Sequence, residues 1–305
     1  MFIHVPAPPV RTSQDTSLSY ESAAEPGKPI ELPLKVVDGY PLVQCTVDGR
    51  QGWMLFDTGT DGSMLLNTAS KDFSREGLVK KGEGTYGSGQ HFIVYAKTVE
   101  SLNCGNLRVS HFEAYATDQT DQDKAMGGSL IGFIGRRLMD DYAVVFDFSR
   151  SVVLLYALDE KDDPKELDLA YTHPAVVIPY RSIAGQPSPV ADVSIGTTMK
   201  RLDGIAVFDS GTNILNILAN RIEKEKLRSP VVKREGKKDG DGTPFYRSKI
   251  AFDNESGKTF DLNDFILQQS NEGADRQSFV VTIGYPFLKD HVTLWNFKKH
   301  QIAIF

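Results

Sequence analysis

Two short segments of the chain hold an aspartate in nearly the same surroundings. Residues 53–67 read WMLFDTGTDGSMLLN, with Asp57 after an apolar run, and residues 205–220 read IAVFDSGTNILNILAN, with Asp209 in the matching place. Two carboxylates held close together cannot both ionise, so the pair keeps one proton. Such a pair can act as base and acid towards a water molecule between them. The sequence therefore predicts hydrolytic chemistry, provided that folding brings the two aspartates together.

A second pair of segments repeats after each aspartate. Residues 133–156 align without a gap against residues 282–305, and each segment opens with an Ile-Gly pair. The two aspartates are 152 positions apart and the two glycines of these pairs are 149 positions apart. Two landmarks at nearly one spacing indicate a duplicated domain with pseudo-twofold symmetry. The residues of the Ile-Gly pairs are Ile134, Gly135, Ile283 and Gly284.

Strand patterns recur along the chain, whereas helical periodicity is scarce. Residues 41–57, 143–156 and 292–305 each consist of two runs of β-forming residues around a short polar turn. Short helices are predicted only at residues 135–142 and 219–227. Many short strands with glycine-rich turns are typical of an all-β protein built from barrels or sandwiches.

The length of 305 residues fits two domains better than one. The acidic stretch at residues 157–170 contains a proline and shows no strand alternation, so we interpret it as a linker; the alternative is a solvated loop inside one domain. The predicted divisions are an N-terminal extension or linker at 1–28, a first lobe at 29–158, a linker at 159–172 and a second lobe at 173–305.

Composition excludes several classes of function. The net charge is -6 and the lysines and arginines are scattered, so no basic surface for nucleic acid is predicted. No apolar run approaches the roughly 20 residues that span a bilayer, so we expect no membrane insertion. The N-terminus lacks the apolar core of a signal peptide; the location stays open, with export or a periplasmic location favoured if a signal has been removed.

The two cysteines, Cys45 and Cys104, are too few for a disulfide framework and too isolated for a zinc site. They either pair or remain two buried thiols, and free thiols are the favoured interpretation. Two calcium-like loops lack the ligand required at the twelfth position, and a GxGxxG at residues 82–87 lacks the flanking strand and helix of a dinucleotide site. We expect no metal and no cofactor.

The two Asp-[Thr/Ser]-Gly-Thr segments and their Ile-Gly elements resemble aspartic proteases of the pepsin and retropepsin group, over roughly residues 30–305. Residues 133–138, FIGRRL, are similar to the Ile-Gly-Arg segment of retroviral proteases, which favours a single-chain, two-domain, retropepsin-like form of bacterial type. The resemblance implies a bilobal fold of two homologous β-barrel-like lobes with the active site in the cleft between them. Asp57 and Asp209 would share one proton there and activate a water molecule against a peptide bond.

The residues that follow each aspartate have physical roles of their own. Gly59 and Gly211 allow a tight turn whose N–H groups reach the carboxylates. Thr60 and Thr212 can donate hydroxyl hydrogen bonds to the outer carboxylate oxygens. The resemblance further implies that the residues directly after the aspartates bond across to the opposite loop. Those residues are Thr58 and Ser210.

A glycine-rich stretch at residues 84–89, GTYGSG, lies between two strand-like runs. It resembles the pepsin flap, a hairpin tip that closes over the substrate and excludes water. The alternative is a plain glycine-rich turn. The residues expected to contact substrate are Thr85, Tyr86, Gly87 and Ser88.

The resemblance predicts an aspartic endopeptidase that binds polypeptides in an extended conformation under the flap. The alternative is a catalytically inactive peptide-binding or structural protein with the same fold. One chain carries both aspartate loops, so the site does not require dimerisation and we expect a monomer.

Overall fold

The computed structural model describes residues 3–4, 19–22, 28–86, 91–183, 186–197, 200–228, 230–252, 257–269 and 279–305. These residues form a nearly all-β structure with barrel-like sheets, as the sequence predicts. None of the helices in this part of the chain is long and apolar enough to cross a bilayer. We call residues 1–157 the first half and residues 158–305 the second half.

The strands, in chain order, are β1 (Ile3–His4), β2 (Ser19–Ser22), β3 (Ile30–Val37), β4 (Tyr40–Val47), β5 (Arg50–Phe56), β6 (Met64–Asn67), β7 (Val79–Tyr86), β8 (His91–Cys104), β9 (Leu107–Thr117), β10 (Leu130–Ile134), β11 (Tyr142–Asp147), β12 (Val152–Ala157), β13 (Val176–Pro179), β14 (Arg181–Ile183), β15 (Gln186–Thr197), β16 (Lys200–Phe208), β17 (Leu215–Ala219), β18 (Val232–Lys238), β19 (Pro244–Phe252), β20 (Thr259–Gln269), β21 (Val280–Ile283), β22 (Thr293–Asn296) and β23 (Gln301–Ile304). The α-helices are α1 (Thr120–Ala125), α2 (Arg221–Leu227) and α3 (Tyr285–Leu288), and single 3-10 turns lie at Arg136–Leu138 and Leu169–Tyr171.

Two sheets contain these strands. The larger sheet has the order β1-β7-β8-β9-β6-β10-β5-β4-β3-β12-β11-β22-β23-β13, with β2 paired to β9, and the smaller sheet has the order β14-β15-β16-β21-β17-β20-β19-β18. The larger sheet includes strands of both halves, because β11 pairs with β22 through residues such as Val145 and Leu294. The two halves are therefore joined by backbone hydrogen bonds as well as by side-chain packing.

The sequence repeat becomes a structural repeat. In the first half, β10 lies between β5, to which it is parallel, and β6, to which it is antiparallel. In the second half, β21 lies in the same way between β16 and β17. Even the register is equal, since Ile134 is paired with Phe56 and Ile283 with Phe208. The predicted pseudo-twofold relation is confirmed at the strands that lead into both aspartates.

A chain of aromatic rings runs through the main core between the two aspartate loops. Phe56 and Phe208, the residues directly before the aspartates, are both buried. The Phe56 ring centroid lies 5.6 Å from that of Phe146, which is 5.4 Å from Trp295, and Trp295 is 5.9 Å from Phe208. Such edge-to-face and tilted contacts stabilise aromatic cores beyond simple burial. The shared strands β11 and β22 thus support both loops from one side.

The helix predictions are partly wrong. The predicted helix at residues 219–227 is present as α2, but the one at 135–142 is only the 3-10 turn Arg136–Leu138, and strand β11 already begins at Tyr142. The apolar residues of this segment belong to a turn and to the start of a strand that is buried on both faces. Periodicity alone does not distinguish such a segment from a buried helix. The short helices α1 and α3 were not predicted.

Side-chain hydrogen bonds connect the acidic stretch after β12 to strands β11 and β12 of the larger sheet. The Tyr156 hydroxyl donates a hydrogen bond to Asp168 Oδ2 at 2.9 Å, and the Tyr171 hydroxyl donates to Asp147 Oδ2 at 3.0 Å. Arg150 in turn donates to the Tyr171 hydroxyl at 2.8 Å. The division of the chain into two lobes and a linker stays a prediction.

The favoured interpretation of free thiols is wrong, because Cys45 and Cys104 form a disulfide. The two residues face each other directly in the antiparallel pair of β4 and β8. They are 59 positions apart along the chain, and only the folded sheet makes them neighbours.

Candidate active site

The two aspartates lie where β5 and β16 end. Each backbone N–H donates to a carbonyl of the neighbouring parallel strand, Asp57 to Ile134 and Asp209 to Ile283, both at 3.0 Å. Both aspartates are completely buried. The two carboxyl groups thus lie at equivalent positions, at the ends of the two repeated strands, as the repeat in the sequence predicts.

Each loop then turns back on its own carboxylate. Gly59 N–H donates to Asp57 Oδ1 at 2.7 Å, and Gly211 N–H donates to Asp209 Oδ1 at 2.9 Å. The Thr60 hydroxyl donates to Asp57 Oδ2 at 2.7 Å. Thr212 is buried in the matching position, and its bond to Asp209 stays a prediction.

The glycines also show how close the two loops come. A Cβ atom on Gly59 would lie 2.8 Å from Asp209 Oδ1, and a Cβ atom on Gly211 would lie 2.2 Å from Asp57 Cγ. Each carboxyl group therefore packs against the glycine of the opposite loop, where no side chain fits. The structure brings Asp57 and Asp209 together across the junction of the two halves.

The residues after the aspartates bond the loops to each other. Thr58 N–H donates to Ser210 Oγ at 3.0 Å, and Ser210 N–H donates to Thr58 Oγ1 at 3.0 Å. The Ser210 hydroxyl donates in addition to the Phe56 carbonyl at 2.8 Å. All three bonds are buried, so the two loops satisfy each other's polar groups and hold the carboxylates in register.

The Ile-Gly elements lie directly behind the loops. A Cβ on Gly135 would lie 2.5 Å from the Gly62 carbonyl oxygen, and one on Gly284 would lie 2.4 Å from the Ile214 carbonyl oxygen. The next residues continue the contact, because Arg136 N–H donates to the Thr60 carbonyl at 3.1 Å and Tyr285 N–H to the Thr212 carbonyl at 2.9 Å. These glycines act as close-packing residues that position the loops.

The electrostatics of the pair follow from this geometry. Burial, followed by the negative charge of Asp209, raises the pKa of Asp57 to about 8. The hydrogen bonds from Thr60 and Gly59 oppose the rise because they stabilise the ionised form, but they are the smaller effects. Asp57, buried beside the charge of Asp209, thus holds a proton near neutral pH.

Tyr40 is a site residue that the sequence analysis missed. In the antiparallel pairing of β4 with β5, Leu42 faces Leu55. Two positions before Leu42 and two positions after Leu55, the same register places Tyr40 beside Asp57. Burial, then Asp38 and then the charges of the two site aspartates raise the pKa of the Tyr40 phenol. The repeat held a signal for this residue, because Tyr40 stands before a proline 17 positions ahead of Asp57 and Ser188 stands before a proline 21 positions ahead of Asp209.

The turn before Tyr40 reaches across to the second half. The Asn213 amide donates to the Asp38 carbonyl at 3.0 Å. Gly39 lies so close to Asn213 and to the Tyr285 ring that a Cβ there would be 2.9 Å from the first and 3.0 Å from the second. The junction is therefore closed on this side by a contact between the halves.

The predicted flap falls on the hairpin of β7 and β8, where Thr85 is paired with His91. Thr85 and Tyr86 are the last residues of β7, while Gly87 and Ser88 lie outside the described residues. The outer edge of β7 is paired with β1, with Ile3 opposite Tyr86, in a stretch where no strand was predicted. A role of this hairpin as a flap stays a prediction.

Comparisons with known proteins agree with this geometry. The model of a family described as aspartyl proteases matches residues 43–135, which include the first aspartate loop and its Ile-Gly element. The crystal structure of basic 7S globulin from soybean is similar, with a TM-score of 0.59 and 9% identity over 92% of this chain and 95% of that chain. The chain is an aspartic-protease-like protein. At 9% identity, the soybean structure is evidence for the fold of this chain and not for its activity. The search of curated protein sequences found no match to the chain.

Proposed function

We propose that the chain is an aspartic endopeptidase that hydrolyses polypeptides with a water molecule activated by Asp57 and Asp209. The observation that carries this proposal is the burial of two carboxyl groups side by side, each packed against the glycine of the opposite loop. The raised pKa of Asp57, to about 8, adds that the pair holds a proton over most of the physiological pH range.

The reaction needs only these two groups and water. The ionised carboxylate takes a proton from the water while the protonated carboxyl group gives its proton to the carbonyl oxygen of the peptide bond. The oxygen of that water bonds to the carbonyl carbon, and the tetrahedral intermediate collapses when the carboxyl group that took the water's proton gives it to the amide nitrogen. The C–N bond then breaks, and the other carboxylate takes back a proton from a hydroxyl group of the intermediate. Because the two groups share their titration, neither aspartate is assigned as the acid alone.

The arrangement of the loops supports a single-chain enzyme. Thr58 and Ser210 form hydrogen bonds between two loops of the same chain, so a second copy of the protein is not needed to supply the second aspartate loop. The hairpin of β7 and β8 in the first half is the element that would cover an extended polypeptide. The buried bonds around both carboxyl groups also argue against a protein that only binds peptides, which would have no chemical reason to keep two carboxyl groups in repulsive contact.

The disulfide bears on where this enzyme would act. Disulfides persist in oxidising compartments and are rare where thiols are kept reduced. The bond between Cys45 and Cys104 therefore favours an exported or periplasmic enzyme.

Cleavage of a peptide library or casein over a range of pH tests the proposal. We expect Asp57→Asn and Asp209→Asn each to lower the rate by roughly 100-fold or more, because each removes half of the acid–base pair. Asp61→Asn is the matched control and should leave the rate unchanged, since within the described residues Asp61 accepts a local hydrogen bond from Gly62 N–H, at 2.9 Å. Activity that survives either dyad substitution contradicts the shared mechanism, and a wild-type chain that binds peptides without cleaving them favours the inactive binding protein.

A further inference from the structure

A cavity in the first half lies far from the dyad. Its volume is about 460 Å³, and it opens between the turn that joins β4 to β5, the middle of β8 and the segment that leads into β7. β5 begins at Arg50 and ends directly before Asp57, so the cavity lies at the opposite end of this strand, about 20 Å from the dyad. The cavity is therefore separate from the proposed site of cleavage.

Six charged side chains line this cavity, and they do not pair with one another. Within the part of the chain that the structure describes, only Glu100 of the six lies against a side chain that can carry the opposite charge, that of the exposed His111, at 3.2 Å. Groups of both signs thus remain available to a ligand in one cavity. The six side chains are those of Asp48, Arg50, Asp72, Glu76, Lys97 and Glu100.

Arg50 is the half-buried cation of this cavity. Its guanidinium donates one hydrogen bond, to Ser70 Oγ at 3.0 Å, and lies 5.1 Å from the centre of the Phe73 ring. Burial lowers the pKa of Arg50, and the charges of Asp48 and Asp72 oppose this effect. A guanidinium has five N–H donors, so several are left over within the described residues. Such a group favours a carboxylate, which it can bind through two parallel hydrogen bonds.

The rest of the lining adds a second cation, carboxylates and apolar surface. Lys97 Nζ lies 6.0 Å from the centre of the same Phe73 ring and donates to the Glu76 carbonyl at 2.7 Å. The exposed carboxylates of Asp72 and Glu76 accept no hydrogen bond from the described residues. The cavity thus offers partners for a carboxylate, for an ammonium group and for an apolar group. Its apolar lining residues are Val47, Leu66 and Phe73.

We propose that this cavity binds a short zwitterionic peptide, such as a dipeptide with both ends free. Arg50 and Lys97 bind its terminal carboxylate. Asp72 and Glu76 bind its terminal ammonium group, and Phe73 contacts an apolar side chain. A ligand with one charge alone is repelled by one of the two sets of side chains. The volume lies in the range of about 300–1,000 Å³ that is typical of small-ligand sites.

The position of the cavity suits a site that responds to products. The segment at residues 72–77 continues into β7, and β8 runs from the hairpin to the cavity, so a bound peptide contacts the base of both arms of the hairpin. Short peptides with free ends are what an endopeptidase ultimately releases from polypeptides. This source of the ligand rests on the proposed function, whereas the binding chemistry does not.

Calorimetric titration of the full-length Asp57→Asn chain with alanyl-leucine tests the site without cleavage. Two relatives of this dipeptide separate the two charges, because N-acetyl-alanyl-leucine lacks the ammonium group and alanyl-leucinamide lacks the carboxylate. We expect each of them to bind roughly 10-fold more weakly than alanyl-leucine, or weaker still, because charge-assisted hydrogen bonds are lost.

Variants in the same Asp57→Asn chain assign each charge to its partner. Arg50→Gln should weaken the binding of alanyl-leucine by a similar factor and leave that of alanyl-leucinamide unchanged, because the amide has no carboxylate to lose. Asp72→Asn should weaken alanyl-leucine but not its N-acetyl form, and this exposed position keeps the test open if Arg50→Gln does not fold. Lys81→Gln is the matched control, since Lys81 pairs with Glu113 at 3.4 Å and lies outside the cavity lining.

The outcomes separate this site from the dyad. A peptide bound at the dyad would not respond to Arg50→Gln, because the two places lie at opposite ends of β5. Equal affinity for the three peptides, an effect of Arg50→Gln on alanyl-leucinamide as large as on alanyl-leucine, or no binding of alanyl-leucine overturns the proposal. Failure of the proposed function has a different signature, a wild type that cleaves no polypeptide while alanyl-leucine still binds.

Discussion

The two halves of the molecule are alike at the aspartate loops and unlike in the strands that flank those loops. The loops repeat the same backbone bonds, from the strand behind each aspartate to the glycine in front of it. The flanking strands share their order and register, but Thr282 replaces Phe133 and Asn216 replaces Leu65. The loops cannot diverge freely, because each satisfies the buried polar groups of the other, whereas a residue of the flanking strands is constrained mainly by its own packing.

The disulfide is the largest covalent difference between the halves. Cys45 on β4 corresponds to Val193 on β15, so only the first half is cross-linked. Replacing the pair by Cys45→Val and Cys104→Ala should lower the free energy of unfolding by about 2–4 kcal/mol, because the unfolded chain regains a loop of 59 positions. Urea unfolding with and without reductant measures this.

Reductant should destabilise the wild type but not the variant without cysteines. An equal effect of reductant on both would show that the cross-link contributes nothing to the stability of the first half.

The two loop glycines probe how tightly each carboxyl group is enclosed. Gly211→Ala should abolish cleavage and destabilise the fold by roughly 1–3 kcal/mol, because its Cβ would lie 2.2 Å from Asp57 Cγ. Gly59→Ala should cost less, since its nearest atom, Asp209 Oδ1, is 2.8 Å away. Thermal unfolding and peptide cleavage measure both effects.

Gly240→Ala is the control, because no atom lies within 4 Å of a Cβ at that position. The contacts indicate that Asp57 is packed more tightly against Gly211 than Asp209 is against Gly59. A larger destabilisation by Gly59→Ala than by Gly211→Ala would contradict this order.

The threonines give the smallest expected difference. Cleavage requires one proton on the pair, so the rate should fall as the pH rises through the pKa of Asp57, about 8. The Thr60 hydroxyl stabilises the ionised form of Asp57, so Thr60→Val should raise this pKa and move the alkaline limb to higher pH by up to about one unit. Rates of Thr60→Val and Thr212→Val, measured across the limb, compare the two loops.

An equal shift of the alkaline limb in the two variants would show that the Thr60 and Thr212 hydroxyl groups have equivalent roles in the two loops. A shift of the Thr60→Val limb to lower pH contradicts the role assigned to this hydrogen bond.

The parts of the fold that sequence could predict are those set by local patterns. Strand pairs such as β11 with β12 were predictable because β-forming runs flank a short polar turn, as at Ser149 to Ser151. The helix at 135–142 failed because its buried residues belong to a turn and a two-sided strand, whose apolar run has no distinguishing period. The pairing of Cys45 with Cys104 failed because nothing local indicates that β4 and β8 are neighbours.

By itself, the sequence determined the chemistry-bearing residues and the duplication that contains them, because Asp57, Asp209 and the residues after them must be of these types to make such loops. Only the tertiary structure decided that the two carboxyl groups meet in a buried place, and hence that the pKa of Asp57 rises. It also decided that Tyr40 lies beside Asp57. Contact and burial depend on strands far apart in the chain, and no local pattern records which of them become neighbours.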